Sequence, residues 1–248
     1  MEAQKILGVS IEKLSKSDIL EKIKKFLTNP SNFYHIVSLN TENLVVAQEN
    51  NEFKIALNSA QIKIIDGVGV VAAAKILKVE AGERVTGVEL MNDIIKLAQI
   101  RRLRVLLLGG RPNLAVSLSN CYQRQYPEAK FLGNFGIADV KNPKENEEER
   151  IFSIVADFKP HIILAAFGSP DQELWFWRNR SRLKGIICMG VGGAFDYLGG
   201  VVPRAPVFIR KIGLEWLFRL FVQPWRWRRQ MRLIKFLYLV IKSFLIGN

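Results

Sequence analysis

Arg104–Pro112 reads RVLLLGGRP. Four aliphatic residues in succession, Val105–Leu108, meet two glycines, and a helical pattern starts beyond Pro112. A short unbroken apolar run suits a strand covered on both faces, the pattern of a parallel sheet with helices on either side. Glycine at the strand end lets the backbone turn sharply and come close to a ligand.

The same grammar recurs along the chain. Upstream, Phe33–Leu39 reads as a strand and Glu42 to about Asn50 as a helix. Ile62–Ile65 is a short buried strand cut off by Asp66-Gly67, with helices expected over Val68–Leu77 and Val88–Gln99. Downstream come a weaker strand at Lys130–Leu132 and a charged loop at 142–149 that opens a helix to about Phe158. His161–Phe167 is a strand before Gly168-Ser169-Pro170 and a helix through Trp177, and Gly185–Met189 is a strand before Gly190–Gly193. No internal repeat is present. Strands alternating with helices predict an α/β fold with a mostly parallel sheet. Ligands of such sheets bind at the carboxyl ends of the strands. Here those ends are Ser38–Thr41, Asp66-Gly67, Gly109-Gly110, Gly168–Pro170 and Gly190–Gly193.

Composition bounds the rest. The chain has 248 residues, 49% hydrophobic and 24% charged, which excludes disordered, collagenous and low-complexity classes. Its net charge is +13, but residues 201–248 hold ten Lys/Arg against one acid, Glu215. That basic end could meet nucleic acid, an anionic membrane or a phosphorylated ligand. Cys121 and Cys188 lie near apolar patterns and are expected as reduced core residues. The opening stretch lacks a signal-peptide h-region, and no apolar run approaches the roughly 20 residues of a spanning helix. The expectation is a protein that stays inside the cell, with any membrane contact peripheral.

Several constellations could carry chemistry. Gly109-Gly110 before a helix resembles a phosphate-binding turn, but neither GxGxxG nor a P-loop occurs. Asp66 follows an apolar strand. There its carboxyl can have a raised pKa and act as a general base, or it can cap the helix that follows. His35 and His161 sit in strands as structural histidines. No DxD pair and no Cys/His cluster occurs, so no metal is expected. In the tail, Pro224 breaks a helix expected over 207–222. Beyond it, at about 100° per residue, Arg228, Arg232, Lys235 and Lys242 share an arc of about 80°. Leu233, Leu237, Val240, Ile241 and Phe244 share another arc, and Arg226 and Arg229 fall off the cationic one. This amphipathic pattern suits a membrane interface or docking on the protein's own core.

Read together, the loops resemble the WecG/TagA/CpsF family of bacterial glycosyltransferases. The matching segments are IIDGVGVV (64–71), ERVTGVELM (83–91), LLLGGRP (106–112), FGSPDQELW (167–175), MGVGGAFDYLGGVVPRAP (189–206) and GLEWLFRLFVQPWRWRR (213–229). The resemblance implies a Rossmann-like catalytic domain over 1–200 and a basic helical appendage over 201–248 that completes the site and meets the membrane. It implies an inverting, metal-independent transfer of an N-acetylmannosamine-type sugar. The donor is a UDP-sugar and no other cofactor is needed. The acceptor is a sugar on a polyprenyl diphosphate, and the product serves teichoic acid or other surface polysaccharide synthesis.

Carried over residue by residue, Asp66 is the implied catalytic base, with Ser38 and Arg84 beside it. Ser38 stands where family members commonly have threonine. Asn40, Gln172 and Glu173 match substrate-contacting elements, and Asp171 replaces a common lysine. Thr41, Gly67, Gly109, Gly110, Gly168, Gly192, Gly193, Asp196 and Arg204 complete the expected substrate contacts. Arg219, Arg226 and Arg229 match arginines thought to reach the departing UDP. Arg228, Arg232, Lys235 and Lys242 are expected at the membrane, and homo-oligomers are possible. A nucleic-acid-binding protein is disfavoured by the clean apolar arc, and a dinucleotide oxidoreductase or methyltransferase by the incomplete glycine fingerprint.

Overall fold

The computed structural model describes residues 4–211, 213–224 and 227–246; the side chains of residues 210, 211 and 228–230 fall outside that description. A small antiparallel pair, β1 (Lys5–Ile6) and β2 (Val9–Ser10), precedes α1 (Lys16–Thr28). The body continues β3 (Tyr34–Leu39), α2 (Thr41–Glu49), α3 (Asn51–Asn58), β4 (Ile62–Ile65), α4 (Val68–Ile76) and α5 (Gly87–Arg101). Its second half runs β5 (Arg104–Gly109), α6 (Leu114–Gln125), β6 (Lys130–Asn134), α7 (Glu145–Phe158), β7 (Ile162–Ala166), α8 (Asp171–Arg178), β8 (Ile187–Gly190) and α9 (Ala194–Leu198). The tail carries α10 (Val207–Lys211), α11 (Glu215–Val222) and α12 (Trp227–Ile246).

Six strands, β3 to β8, form one sheet in the order β4-β3-β8-β7-β5-β6, and every pairing in it is parallel. The expected α/β fold with a Rossmann-like arrangement is therefore present. Side chains alternate across the sheet as a pleat requires. Val105, Leu107, Ile162 and Leu164 face the core that also holds α1, α5 and α6. Leu106, Leu108, Ile163 and Ala165 face the core under α7 and α8. Both faces are covered, which is why these strands read as continuous apolar runs rather than as alternations.

Three expectations change. The stretch after Asn50 is a further helix, α3, capped by the Asn50 side chain accepting from the Phe53 N–H. The helix expected over 207–222 is two helices. Gly213 divides them at φ +81°, and a Cβ there would lie 2.6 Å from the Val68 side chain. The tail thus crosses α4 at a contact that only glycine permits. Cys188 is buried, but Cys121 is exposed on α6 and is not a core residue. Among the described residues, no helix is long and apolar enough to cross a membrane.

Candidate active site

All five strand-end loops open into one cavity of about 650 Å³ at the carboxyl edge of the sheet. Asp66 lies on its floor. The backbone N–H of Asp66 donates to Leu39 O, which holds the turn in register with β3. Its carboxylate does not cap α4, whose N-cap is Gly67 with no side-chain bond. Instead Oδ2 accepts from the Gly87 N–H at 3.2 Å, at the start of α5. A Cβ on Gly87 would lie 3.3 Å from Ser38 Oγ and 3.4 Å from Asp66 Oδ2, so that glycine lets both groups close on one point.

Burial raises the Asp66 carboxyl to about 6. The Gly87 N–H and Arg84 oppose the shift, while Glu215 and Glu89 add to it. A carboxylate of this kind is ionised near neutrality yet basic enough to take a proton. Arg84 Nε donates to the Asp66 carbonyl at 3.3 Å, so it braces the turn rather than forming a surface ion pair. Asn40 caps α2 by accepting from the Asn43 N–H, and Thr41 is the first residue of that helix.

The opposite wall is built from glycine. Gly109 and Gly110 both have positive φ, and Gly110 N–H donates to Ala166 O. Gly109 faces a neighbouring cleft of about 390 Å³ rather than the main cavity, whereas Gly110 lines both. Gly168, Gly192 and Gly193 line the main cavity with Gln172 and Glu173. Gly193 is the seat of Arg219: a Cβ there would lie 2.2 Å from Arg219 Nη2. The Arg219 guanidinium also stacks 4.9 Å from the Tyr197 ring centroid, which pins α11 to α9. Arg204 lies 3.7 Å from Glu215, a second link between the tail and the site. Asp196 Oδ1 accepts from Arg111 Nε at 3.2 Å.

Of the residues expected at the site, Ser38, Asn40, Thr41, Asp66, Gly67 and Arg84 line the main cavity from the β3–β4 side. Asp196, Arg204 and Arg219 line it from the other. Arg226 lies outside the described residues, as do the side chains of Arg228 and Arg229. Reading the sequence missed Gly87, Arg111, Glu215 and Tyr197. All four stand inside quoted motifs, and Glu215 is the one acid of the tail; the glycine after Thr86 and the arginine after Gly110 were the plainest signals.

Of the four cations expected at the membrane, the side chain of Arg228 lies outside the described residues, and two of the others pair with acids of the body. Arg232 pairs with Glu42 at 2.6 Å and Lys235 pairs with Glu49, both on α2. Lys242 is exposed. Phe236 and Val240, each 1% exposed, pack into the core beside α2 and α4. This orientation leaves Met231, Ile234, Leu237, Tyr238 and Ile241 outward, each at least half exposed. The histidines are structural. His35 is fully buried against Phe176, with burial lowering its pKa to about 3. His161 Nδ1 accepts from the Arg104 N–H.

A carboxylate raised toward neutrality, facing a glycine-lined crevice rimmed by arginines, is the equipment of an enzyme that activates a hydroxyl against an anionic donor. Comparison with known proteins gives that class its family. The model of the glycosyl transferase WecG/TagA/CpsF family matches residues 4–248, and the chain belongs to that family. It is a hexosyltransferase. Among its relatives are the N-acetylglucosaminyldiphosphoundecaprenol N-acetyl-beta-D-mannosaminyltransferases of Staphylococcus aureus strains NCTC 8325 / PS 47, COL and MRSA252. Each is 31% identical over 242 residues, covering 96% of this chain and 92% of the relative.

Proposed function

We propose that this enzyme moves an N-acetylmannosamine-type sugar from UDP to a GlcNAc-like sugar carried on a polyprenyl diphosphate, with inversion and without a metal. The observation that carries the reading is Asp66, a raised carboxyl on the cavity floor with Ser38 beside it. Asp66 takes the proton of the acceptor hydroxyl as that oxygen attacks the anomeric carbon. The bond from that carbon to the diphosphate oxygen breaks, and UDP departs with added negative charge. Arg219 and Arg204, brought to the cavity by the tail and the loop before it, offset that charge. Arg111, joined to Asp196 in the resting site, stands at the glycine turn where a phosphate would approach. Arg226 and Arg229 belong to the same proposal on the resemblance alone.

The relatives' names support the acceptor and the donor sugar. A second reading has another UDP-hexose or a UDP-uronic acid as donor; Asp171, in place of a common lysine, lines the neighbouring cleft. The membrane contact belongs here too, in a revised form. With Arg232 and Lys235 held on α2, the surface offered to lipid is the outward apolar stripe of α12, with Lys242 at its edge.

A donor screen tests the proposal, using purified protein, a lipid-diphosphate-GlcNAc acceptor, and EDTA present or absent. UDP-N-acetylmannosamine should give a product of inverted anomeric configuration at equal rates with and without EDTA. Turnover with a uronic acid donor alone would establish the second reading, and an EDTA-sensitive rate would end the metal-free one.

A further inference from the structure

The cavity wall between β7 and β8 is held together by side chains. Gln172 Oε1 accepts from the Gly168 N–H at 3.2 Å and the Gly192 N–H at 3.1 Å. Two donors on one atom identify it as the amide oxygen. Gln172 Nε2 therefore points at Glu173 and donates to its Oε1 at 2.8 Å. The amide is pressed on β8, since a Cβ on Gly190 would lie 2.4 Å from Gln172 Nε2.

Glu173 is 1% exposed, and its Oε2 has no hydrogen-bond partner among the described residues. The Ser169 hydroxyl lies beside the carboxyl, yet its single proton goes to Asn43 Oδ1 at 2.8 Å. The Asn43 orientation is set in turn, because its Nδ2 donates to Ser38 O at 2.8 Å. Ser169 is thus left able only to accept from Glu173. An ionised carboxylate in this place would bury an oxygen that no donor serves.

We propose that Glu173 is a neutral carboxylic acid in the working enzyme, with its proton on Oε2, and that it is a positioning residue for the transfer site. It holds Gln172 across the Gly168 and Gly192 turns. Through Ser169 and Asn43 it ties those turns to Ser38 and Asn40 beside the base.

Burial pushes the carboxyl up to about 7, against the bonds from Gln172 and Ser169, and Asp171 adds a like charge that pushes the same way. With the Ser169 proton held by Asn43, part of that opposition falls away. Several titratable groups on neighbouring elements are committed elsewhere. Glu52 of α3 pairs with Arg178, Glu42 of α2 with Arg232, and burial keeps the Cys188 thiol of β8 protonated.

The activity arm of the test rests on the proposed transfer reaction; the spectroscopic arm does not, so the two can fail separately. In protein carrying ¹³C-carboxyl glutamate, the signal missing from Glu173→Gln belongs to Glu173. It should keep the shift of a protonated acid through pH 6 and titrate at or above about 7, while ordinary glutamates ionise near about 4.3. Titration together with the surface glutamates would overturn the proposal. Glutamine copies a neutral acid here, accepting from Gln172 and donating to Ser169, but it cannot copy a carboxylate. Glu173→Ala should lower kcat roughly 100-fold through misplacement of the site, and Glu173→Gln should recover most of that loss and remove any decline in rate at alkaline pH. A glutamine variant that unfolds like wild type yet is as inactive as the alanine variant would overturn the proposal.

Discussion

Two carboxyls lie at one cavity, on opposite halves of the sheet edge, and burial raises both. Asp66 follows β4, receives one backbone N–H at the start of α5, and keeps some access to the cavity. Glu173 lies within α8, sealed at 1% exposure and bound to its neighbour Gln172. The same desolvation therefore yields two different groups. Asp66, raised to about 6, is charged at neutral pH and meets solvent and substrate. Glu173, pushed up to about 7 and shut away with no donor to Oε2 among the described residues, is the carboxyl we assign as the neutral brace of the wall. Each carboxyl receives one donor, so access to the cavity is what separates the proposed base from the proposed brace.

The largest effect that would break this contrast is at Asp66. Asp66→Asn should lower kcat by about 10²–10⁴-fold in a UDP-sugar transfer assay while leaving the circular dichroism spectrum unchanged. Near-normal turnover would remove Asp66 as base. Next is Arg219→Ala, expected to cost roughly 10²–10³-fold in kcat, with a smaller change in UDP affinity. A change confined to affinity would assign Arg219 to donor binding rather than to the leaving group.

The pH profile is the third test. A base that must be ionised requires kcat/KM to fall about tenfold per unit as pH drops below about 6, and Glu173→Gln should retain that acid limb. A profile flat down to pH 5 would count against the raised Asp66.

Stability offers a fourth, more modest reading. An acid with a raised folded-state pKa binds its proton more tightly in the folded protein. Its penalty is absent below the unfolded value and grows as pH rises through about 6. Asp66→Asn should therefore be more stable than wild type at pH 8 by about 1–3 kcal/mol, with the gain vanishing near pH 4. Equal unfolding midpoints at both pH values would contradict the burial argument. The smallest effect concerns the tail: Arg232→Ala removes a half-exposed pair and should cost about 0.5–1 kcal/mol. A Glu42→Arg, Arg232→Glu exchange should restore most of it.

Much of this was legible in the chain. Strands such as Val105–Leu108 announce themselves because both faces are buried, and the glycines that follow mark the ligand edge. Asp66 stood out because a lone acid at the end of an apolar strand is costly without a purpose. The tail was legible as an amphipathic helix but not in its orientation. A wheel sorts residues by angle without knowing what lies opposite. Glu42 and Glu49 on α2 draw Arg232 and Lys235 inward, so Val240 is buried while Leu237 and Ile241, which share its arc, remain outside.

Sequence alone thus determined the layered α/β body and marked the strand-end edge and Asp66 as candidates for the site, because local periodicity and strand-end glycines depend on near neighbours. Tertiary structure alone decided which carboxyl keeps access to the cavity, which side of α12 faces the body, and that Gly87 and Gly193 are the points where Asp66 and Arg219 are received. Those outcomes depend on atoms brought together from distant parts of the chain, across distances that no pattern along it encodes.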